Sequence, residues 1–113
     1  MKVIANQISL QELNEMAHNM FGNLIKAVVD VRKEIMAVDA ELHADEEALL
    51  IKEGSDQKDL WGINLYPELV GDDFIDFDSM INLRPSQGNR SRGVDNPEIR
   101  EKIISIVNKL VKR

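Results

Sequence analysis

The sequence predicts a single α+β domain, in which an antiparallel sheet of about four or five strands carries N- and C-terminal helices on one face. Apolar residues recur with a helical period at both ends of the chain, and they alternate or form short β-branched runs in between. The central segments are joined by connections too short for the crossover helices of a parallel sheet. A length of 113 residues fits one domain, over residues 1–113.

A helix over residues 10–21 is predicted from its N-terminal signals and its apolar stripe. Ser9 and Glu12 have the spacing of a capping box, in which the serine hydroxyl accepts a hydrogen bond from the amide three residues later. Gly22 is a natural end, because the residue after a last helical turn often has a left-handed conformation. The apolar stripe consists of Leu10, Leu13, Met16, Ala17, Met20 and Phe21.

Short strands are predicted through the middle of the chain. Residues 2–4 form a leading strand in this interpretation. Residues 25–31 and 35–38 are rich in β-branched side chains and are separated by a charged triplet, which is typical of a hairpin. Residues 61–66 and 75–84 alternate between apolar and polar side chains, as in a sheet that is covered on one face.

The segment 45–53 is compatible with two structures. Its acidic start and the glycine at position 54 would suit a short capped helix. The run is nevertheless short for a helix, so a strand over residues 48–53 is favoured.

The last helix has clear signals at both ends. Asn96 is suited to the N-cap, and Pro97 to the first helical position, where a missing N–H costs nothing. Lysines and an arginine at the end of the chain favour a helix C-terminus there. The apolar stripe consists of Ile99, Ile103, Ile106, Val107 and Leu110.

Composition excludes several classes of function. The chain has no cysteine, so it has no disulfide, cysteine nucleophile or thiolate-bound metal. With 20 acidic and 14 basic residues its net charge is −6, which makes nucleic acid an improbable partner. No run approaches the ~18 apolar residues of a membrane span, and the first residues lack a signal-peptide pattern, so a cytoplasmic protein is expected. No cofactor is expected, because no nucleotide-binding or metalloprotease motif is present.

His43 is the candidate catalytic residue. An extended backbone would place His43 and Asp45 on the same face, where the carboxylate could orient the imidazole as a general base. Together with Glu46 and Glu47 the pair could also hold a hard divalent cation. Such acidic clusters are common in charged turns, so no metal site is predicted.

The loop 84–93 is the candidate anion site. Its ten residues include three arginines and no acidic side chain, in a chain that is acidic overall. Arg84, Asn89, Arg90 and Arg92 could hold a phosphate or carboxylate, since guanidinium groups bind both with two parallel hydrogen bonds. A solvated loop, or a loop held by ion pairs within the protein, is the alternative interpretation.

Polar residues within the regular elements add to these candidates. Asn64 and Asn82 are predicted on the polar face of the sheet together with Arg84, where they would either line the site or satisfy the sheet edge. Arg100 falls within the apolar arc of the last helix, so we expect it to be partly buried and paired with a carboxylate from residues 72–78.

Four segments of the chain resemble a family of small prokaryotic proteins of unknown function. The segments are 42–45, 54–67, 81–90 and 96–100, and the resemblance extends over nearly the whole chain. It implies a single-domain protein, and it assigns no activity and no catalytic residue.

Two hypotheses of function follow. In the first, a binding protein without catalytic activity holds a small anionic ligand, or an acidic group of a partner, through loop 84–93. In the second, a small hydrolase or nuclease-like enzyme uses His43 as general base, with Asp45 orienting it and the arginines stabilising negative charge. The first is favoured, because only one plausible catalytic imidazole is present. The enzyme would require one pocket shared by His43, Asn64, Arg84 and Arg90.

Overall fold

The computed structural model describes residues 1–113 and contains a five-stranded antiparallel sheet of order β1-β4-β3-β5-β6. A separate parallel pair joins β2 to β7. The α+β prediction is therefore confirmed. Along the chain the strands are β1 (Lys2–Ile4), β2 (Ile8–Ser9), β3 (Ile25–Asp30), β4 (Ile35–Val38), β5 (Leu60–Leu65), β6 (Ile75–Asp76) and β7 (Val111–Lys112). The α-helices are α1 (Leu10–Met20), α2 (His43–Lys52) and α3 (Pro97–Leu110).

The two terminal helices begin at the predicted caps and cover one face of the sheet. The amide of Glu12 donates to the hydroxyl of Ser9 at 3.0 Å, and the side chain of Asn96 accepts from the amide of Glu98 at 2.8 Å. The longest helix has 14 residues, and none is long and apolar enough to cross a membrane. The main core between these helices and the sheet includes Leu13, Ala17, Ile25, Val29, Trp61, Ile63, Ile103 and Leu110.

Arg100, in the first turn of α3, does not have the predicted environment. Its side chain is exposed and makes no ion pair with a carboxylate. The guanidinium instead lies 5.1 Å from the centre of the Phe77 ring. The expectation of a buried ion pair is wrong, because an aromatic face rather than a carboxylate lies beside this position.

The opposite face of the sheet carries α2, where a strand over residues 48–53 was expected. Leu50 of α2 is fully buried in a small second core with Val28, Ala37 and Leu60. The other buried positions of this helix are His43 and Glu46. The strand prediction is wrong because two of the three buried positions are polar, so the helical period is hidden in a count of apolar residues.

The strand expected over residues 75–84 ends after two residues. Beyond Asp76, the side chain of Asn82 replaces a neighbouring strand: its Oδ1 accepts from the amide of Gly62 at 2.8 Å, and its Nδ2 donates to the carbonyl of Gly62 at 2.9 Å. The segment around Asn82 consequently forms 3₁₀ turns at Met80–Asn82 and Pro85–Gln87. Phe77 packs against the main core and Ile81 against the second core, so this segment contacts both faces of the sheet without continuing as a strand.

Candidate functional site

A cavity of about 410 Å³ lies between the start of α2 and the face of the sheet formed by β3, β5 and β6. This volume is within the range of pockets that bind small molecules, roughly 300–1,000 Å³. Aromatic and aliphatic side chains supply half of its lining. Its charged and polar lining includes Lys26, His43, Asn64, Asp76, Asp78 and Arg92.

The floor of the cavity is a row of polar residues on three neighbouring strands. Lys26 of β3 is paired in register with Asn64 of β5, and Asn64 is paired with Asp76 of β6. Residues opposite each other in antiparallel strands direct their side chains to the same face. With a strand spacing of about 4.8 Å, the cationic and acidic ends of this row are about 10 Å apart at Cα.

His43, the first residue of α2, closes one side of the cavity. Its Nε2 atom lies 2.7 Å from the carbonyl oxygen of Ile63, and the side chain is almost fully buried. Because a carbonyl only accepts, Nε2 carries the hydrogen and Nδ1 of the neutral ring is an acceptor. Nδ1 makes no hydrogen bond within the protein and is not sealed from solvent.

The electrostatic environment keeps this imidazole neutral. Burial lowers the pKa of His43, and the nearby positive charges of Lys26 and Arg92 act in the same direction. The hydrogen bond to Ile63 and the negative charge of Asp78 oppose this shift and are outweighed. A neutral imidazole with an open acceptor nitrogen can receive a proton or bind a donor group of a ligand.

The start of α2 also presents free hydrogen-bond donors. Its N-cap residue, Leu42, has no side-chain acceptor, and the amides of His43 and Ala44 make no hydrogen bond. All three residues line the cavity. Free amides at the positive end of a helix dipole favour a negatively charged group at this position.

The charged side chains of the cavity differ in how far they are already paired. Arg92 donates from Nε to Asp78 at 2.9 Å, which neutralises both groups. Asp76 accepts from the amide nitrogen of Asn64 at 3.1 Å through one oxygen only. Lys26 makes no ion pair and lies 5.3 Å from the centre of the Phe21 ring. The cavity therefore has a cation without an ion-pair partner, Lys26, on one side. On the other side it has a carboxylate with one oxygen free of hydrogen bonds, Asp76.

Arg84 does not reach this cavity. Its guanidinium donates to the carbonyl oxygens of Ile81 at 2.9 Å and Gln57 at 3.1 Å, and to that of Leu60. It also stacks on Trp61, with 4.6 Å to the ring centre. The guanidinium of Arg84 is therefore bound to backbone carbonyl groups around the start of β5.

Asn82 and Asn89 of the predicted site hold the loop 84–93 together. Asn89 donates to the carbonyl of Asn82 at 2.7 Å, and its Oδ1 accepts from the amide of Asp95 at 2.8 Å. Arg90 is exposed outside the cavity, and its backbone amide donates to the carboxylate of Asp95. Of the three arginines in the loop, Arg92 alone lines the cavity.

His43 and Asp45 are not neighbours in space. Two residues along a helix are about 200° apart around its axis, so Asp45 lies away from the imidazole and borders a different cavity beside Met1 and Leu49. No group of three or more His, Asp or Glu side chains has the geometry to hold a metal ion. The orientation of His43 depends on the carbonyl of Ile63 instead.

The structure thus brings together His43, Asn64 and Arg92 and leaves Arg84 and Arg90 outside. The sequence reasoning missed Lys26 as a site residue. Its signal was present, because Lys26 is the one cation within the β-branched run over residues 25–31. Asp76 and Asp78 were considered only as partners for Arg100.

The comparison with known families agrees with this single-domain architecture. The family model described as "Protein of unknown function (DUF5674)" matches residues 2–110. The match extends from β1 to the end of α3 and therefore includes every element that forms the cavity. No curated protein and no solved structure matches the chain. The chain therefore belongs to the DUF5674 family of proteins of unknown function.

Proposed function

We propose that the protein binds a small organic anion in the cavity at the start of α2. The observation that carries this proposal is that two positive groups without an acceptor in the protein line the same cavity. Lys26 has no ion-pair partner, and the amides of His43 and Ala44 have no acceptor. A carboxylate or phosphate at this position would accept hydrogen bonds from the amides and pair with the ammonium group.

The rim of the cavity favours a ligand with an apolar part. Three of the nine large apolar side chains that are exposed on the protein, Phe21, Leu42 and Met80, border this single cavity. Apolar side chains that are exposed around a concave polar site are typical of ligand binding. A compound with a carboxylate and an aromatic or aliphatic body fits both sets of groups.

This proposal retains the anionic ligand of the sequence hypothesis and moves its site. Of loop 84–93, only Arg92 contributes, through its remaining guanidinium hydrogens beside Asp78. Arg84 and Asn89 have structural roles, since their polar groups are already bonded within the protein.

Titration with 3-phenylpropanoate, followed by backbone amide NMR, tests the proposal. We expect saturable shifts confined to residues near 26, 42–44, 64 and 76–81. Lys26→Met should weaken binding at least about tenfold, the value of one charge-assisted hydrogen bond. Binding should also weaken as salt is added.

Two matched variants serve as controls. Lys112→Met removes an exposed lysine at the end of the chain, and Arg90→Ala removes the loop arginine that lies outside the cavity. Both should leave the affinity unchanged. Equal losses in Lys26→Met and Lys112→Met, or a response that does not saturate, would contradict the proposal.

A second candidate function is hydrolysis with His43 as general base. It is favoured because His43 lines the cavity and has a free Nδ1 atom, with Nε2–H fixed by Ile63. In this mechanism Nδ1 takes a proton from an attacking water, and Lys26 and Arg92 stabilise the negative charge that develops on the substrate. The carbonyl of Ile63 has the orienting role that was expected of Asp45.

Assays with 4-nitrophenyl acetate and bis(4-nitrophenyl) phosphate test this candidate. His43→Gln keeps a donor for the carbonyl of Ile63 and removes the basic nitrogen, so turnover should be lost while the fold is retained. Turnover that persists in His43→Gln, or that is absent from the wild-type protein, counts against an enzyme of this kind.

A further inference from the structure

The unpartnered polar groups of the cavity fall into two sets of opposite character. The donors are Lys26 Nζ and the amides of His43 and Ala44. The acceptors are His43 Nδ1, the side-chain oxygen of Asn64 and the second oxygen of Asp76, none of which receives a hydrogen bond. An anion satisfies only the first set.

The orientation of the Asn64 amide is fixed by its neighbours. Its nitrogen donates to a carboxylate oxygen of Asp76 at 3.1 Å and to the carbonyl of Asp78 at 2.9 Å. Both partners can only accept, so the side-chain oxygen of Asn64 faces away from them as a free acceptor. The carboxylate of Asp78 is neutralised by Arg92, which leaves Asp76 as the negative group available to a ligand.

We propose, as an extension of the proposed function, that the ligand is a zwitterionic amino acid with an apolar side chain. Its carboxylate binds the amides at the start of α2 and Lys26. Its ammonium group donates to Asn64 Oδ1 and Asp76. The apolar side chain lies against Phe21, Leu42 and Met80.

The two sets of groups are close enough for one small molecule. His43 is hydrogen-bonded to the carbonyl of Ile63, the residue before Asn64, so the start of α2 lies beside the acceptor on β5. The flexible four-carbon stem of Lys26 allows its ammonium group to approach from β3.

Selectivity follows from the cost of leaving the polar groups of the cavity unpaired, of which Asn64 is buried and Lys26 and Asp76 are half-buried. A simple carboxylic acid would remove water from Asn64 and Asp76 and supply no donor in exchange. A simple amine would leave Lys26 and the amides of α2 without an acceptor. Each omission should weaken binding at least about tenfold, the value of one hydrogen bond to a charged group.

Three probes of matched shape test the inference at neutral pH: phenylalanine, 3-phenylpropanoate, which lacks the amine, and 2-phenylethylamine, which lacks the carboxylate. We expect phenylalanine to bind at least about tenfold more tightly than either analogue. Amide NMR titration measures all three affinities on the intact chain.

Asp76→Asn and Asp72→Asn form the matched pair of variants. Asp76 lines the cavity, whereas Asp72 is exposed on a neighbouring turn outside it. Asp76→Asn should lower the affinity for phenylalanine to the value found for 3-phenylpropanoate. The affinity for 3-phenylpropanoate itself should not fall in this variant. Asp72→Asn should change neither affinity.

The outcomes separate the two proposals. If 3-phenylpropanoate binds as tightly as phenylalanine, the zwitterion is excluded and the anion site stands. If phenylalanine is preferred and Asp76→Asn does not reduce the preference, the assigned ammonium site is wrong. If none of the three probes binds, both proposals fail.

Discussion

The imidazole of His43 donates a 2.7 Å hydrogen bond from Nε2 to the carbonyl oxygen of Ile63, so the first residue of α2 is tied to the interior of β5. This contact fixes the end of α2 above the polar floor of the cavity. It also determines that Nδ1 is the nitrogen left as an acceptor, because the bonded nitrogen must carry the hydrogen.

The lowered pKa of His43 predicts a stability that depends on pH. In the unfolded chain the imidazole titrates near 6.5, whereas burial keeps it neutral in the folded protein to a lower pH. Between these two values the unfolded state binds more protons, so the free energy of unfolding falls as the pH falls. Compared with His43→Gln, the wild-type protein should lose stability as the pH is lowered from about 7.5 to about 5.

Urea denaturation across this pH range measures the difference. Both proteins carry His18→Gln, which removes the exposed imidazole on α1 beside Glu68 and leaves His43 as the only histidine that differs between them. A constant difference between the two proteins would show that the imidazole titrates alike in both states.

The buried side chain of Glu46 predicts a stability that falls as the pH rises, the opposite of the trend predicted for His43. The side chain is fully buried, its Oε2 accepts from the amide of Ala40 at 3.1 Å, and its Oε1 has no partner. Burial raises the pKa of Glu46 to about 9, from a reference value of 4.5. The stabilising effect of protonated Glu46 is complete below pH 4.5. It is lost as the pH rises through the pKa that Glu46 has in the folded protein.

Glu46→Gln should therefore be more stable than the wild-type protein at pH 8, by more than about 1 kcal/mol, because one pKa unit corresponds to about 1.4 kcal/mol. The glutamine keeps an oxygen for the amide of Ala40 and has no charge to bury. Thermal unfolding from about pH 5 to 9 should show a flatter profile for the variant. A wild-type protein that is equally stable at both ends would exclude a buried acid of this kind.

The caps and stripes of α1 and α3 were predictable because they are local. Ser9 and Asn96 satisfy amides two or three residues away, and the apolar period needs only the helix itself. The hairpin of β3 and β4 has the same local character. Helix α2 was not predictable in this way. Its buried face contains His43 and Glu46, whose burial depends on residues far away in the chain.

The candidate site also combines features that local sequence predicts with features that depend on distant parts of the chain. His43, Asn64 and Arg92 were selected by residue type, and all three line one cavity. Their convergence depends on the register that places Lys26, Asn64 and Asp76 in one row. Arg84 was selected for its charge. Its actual role depends on carbonyl groups of the backbone, which no side-chain pattern reveals.

Arg100→Leu should change stability by less than about 1 kcal/mol. The exposed guanidinium loses only its stacking on Phe77, and such contacts are worth roughly 0.5–1 kcal/mol at exposed sites. Ile103→Ala, which empties a fully buried position one turn later, should cost about 2–5 kcal/mol in the same urea titration. A loss in Arg100→Leu as large as that in Ile103→Ala would point to a buried ionic role.

Gly62→Ala should destabilise the protein by about 1–3 kcal/mol, the usual cost of overpacking. A Cβ atom at this position would lie 2.5 Å from Ser79 Oγ and 2.6 Å from Ser79 Cβ. The clash would push the segment that carries Asn82 away from β5, and with it the hydrogen bonds between Asn82 and Gly62.

The double variant Gly62→Ala/Ser79→Gly separates this clash from an intrinsic effect of alanine in the strand. Removal of the Ser79 side chain takes away the two atoms closest to the new methyl group and leaves Ile81 Cγ1 at 3.1 Å, at the end of a side chain that can shift. The extended backbone at position 79 is accessible to glycine. We expect the loss in the free energy of unfolding to be smaller in the double variant than the sum of the two single losses, by at least about 1 kcal/mol, which is a typical coupling between residues in contact. Additive losses in this double-mutant cycle would mean that Gly62 is not required for the close approach of Ser79 to β5.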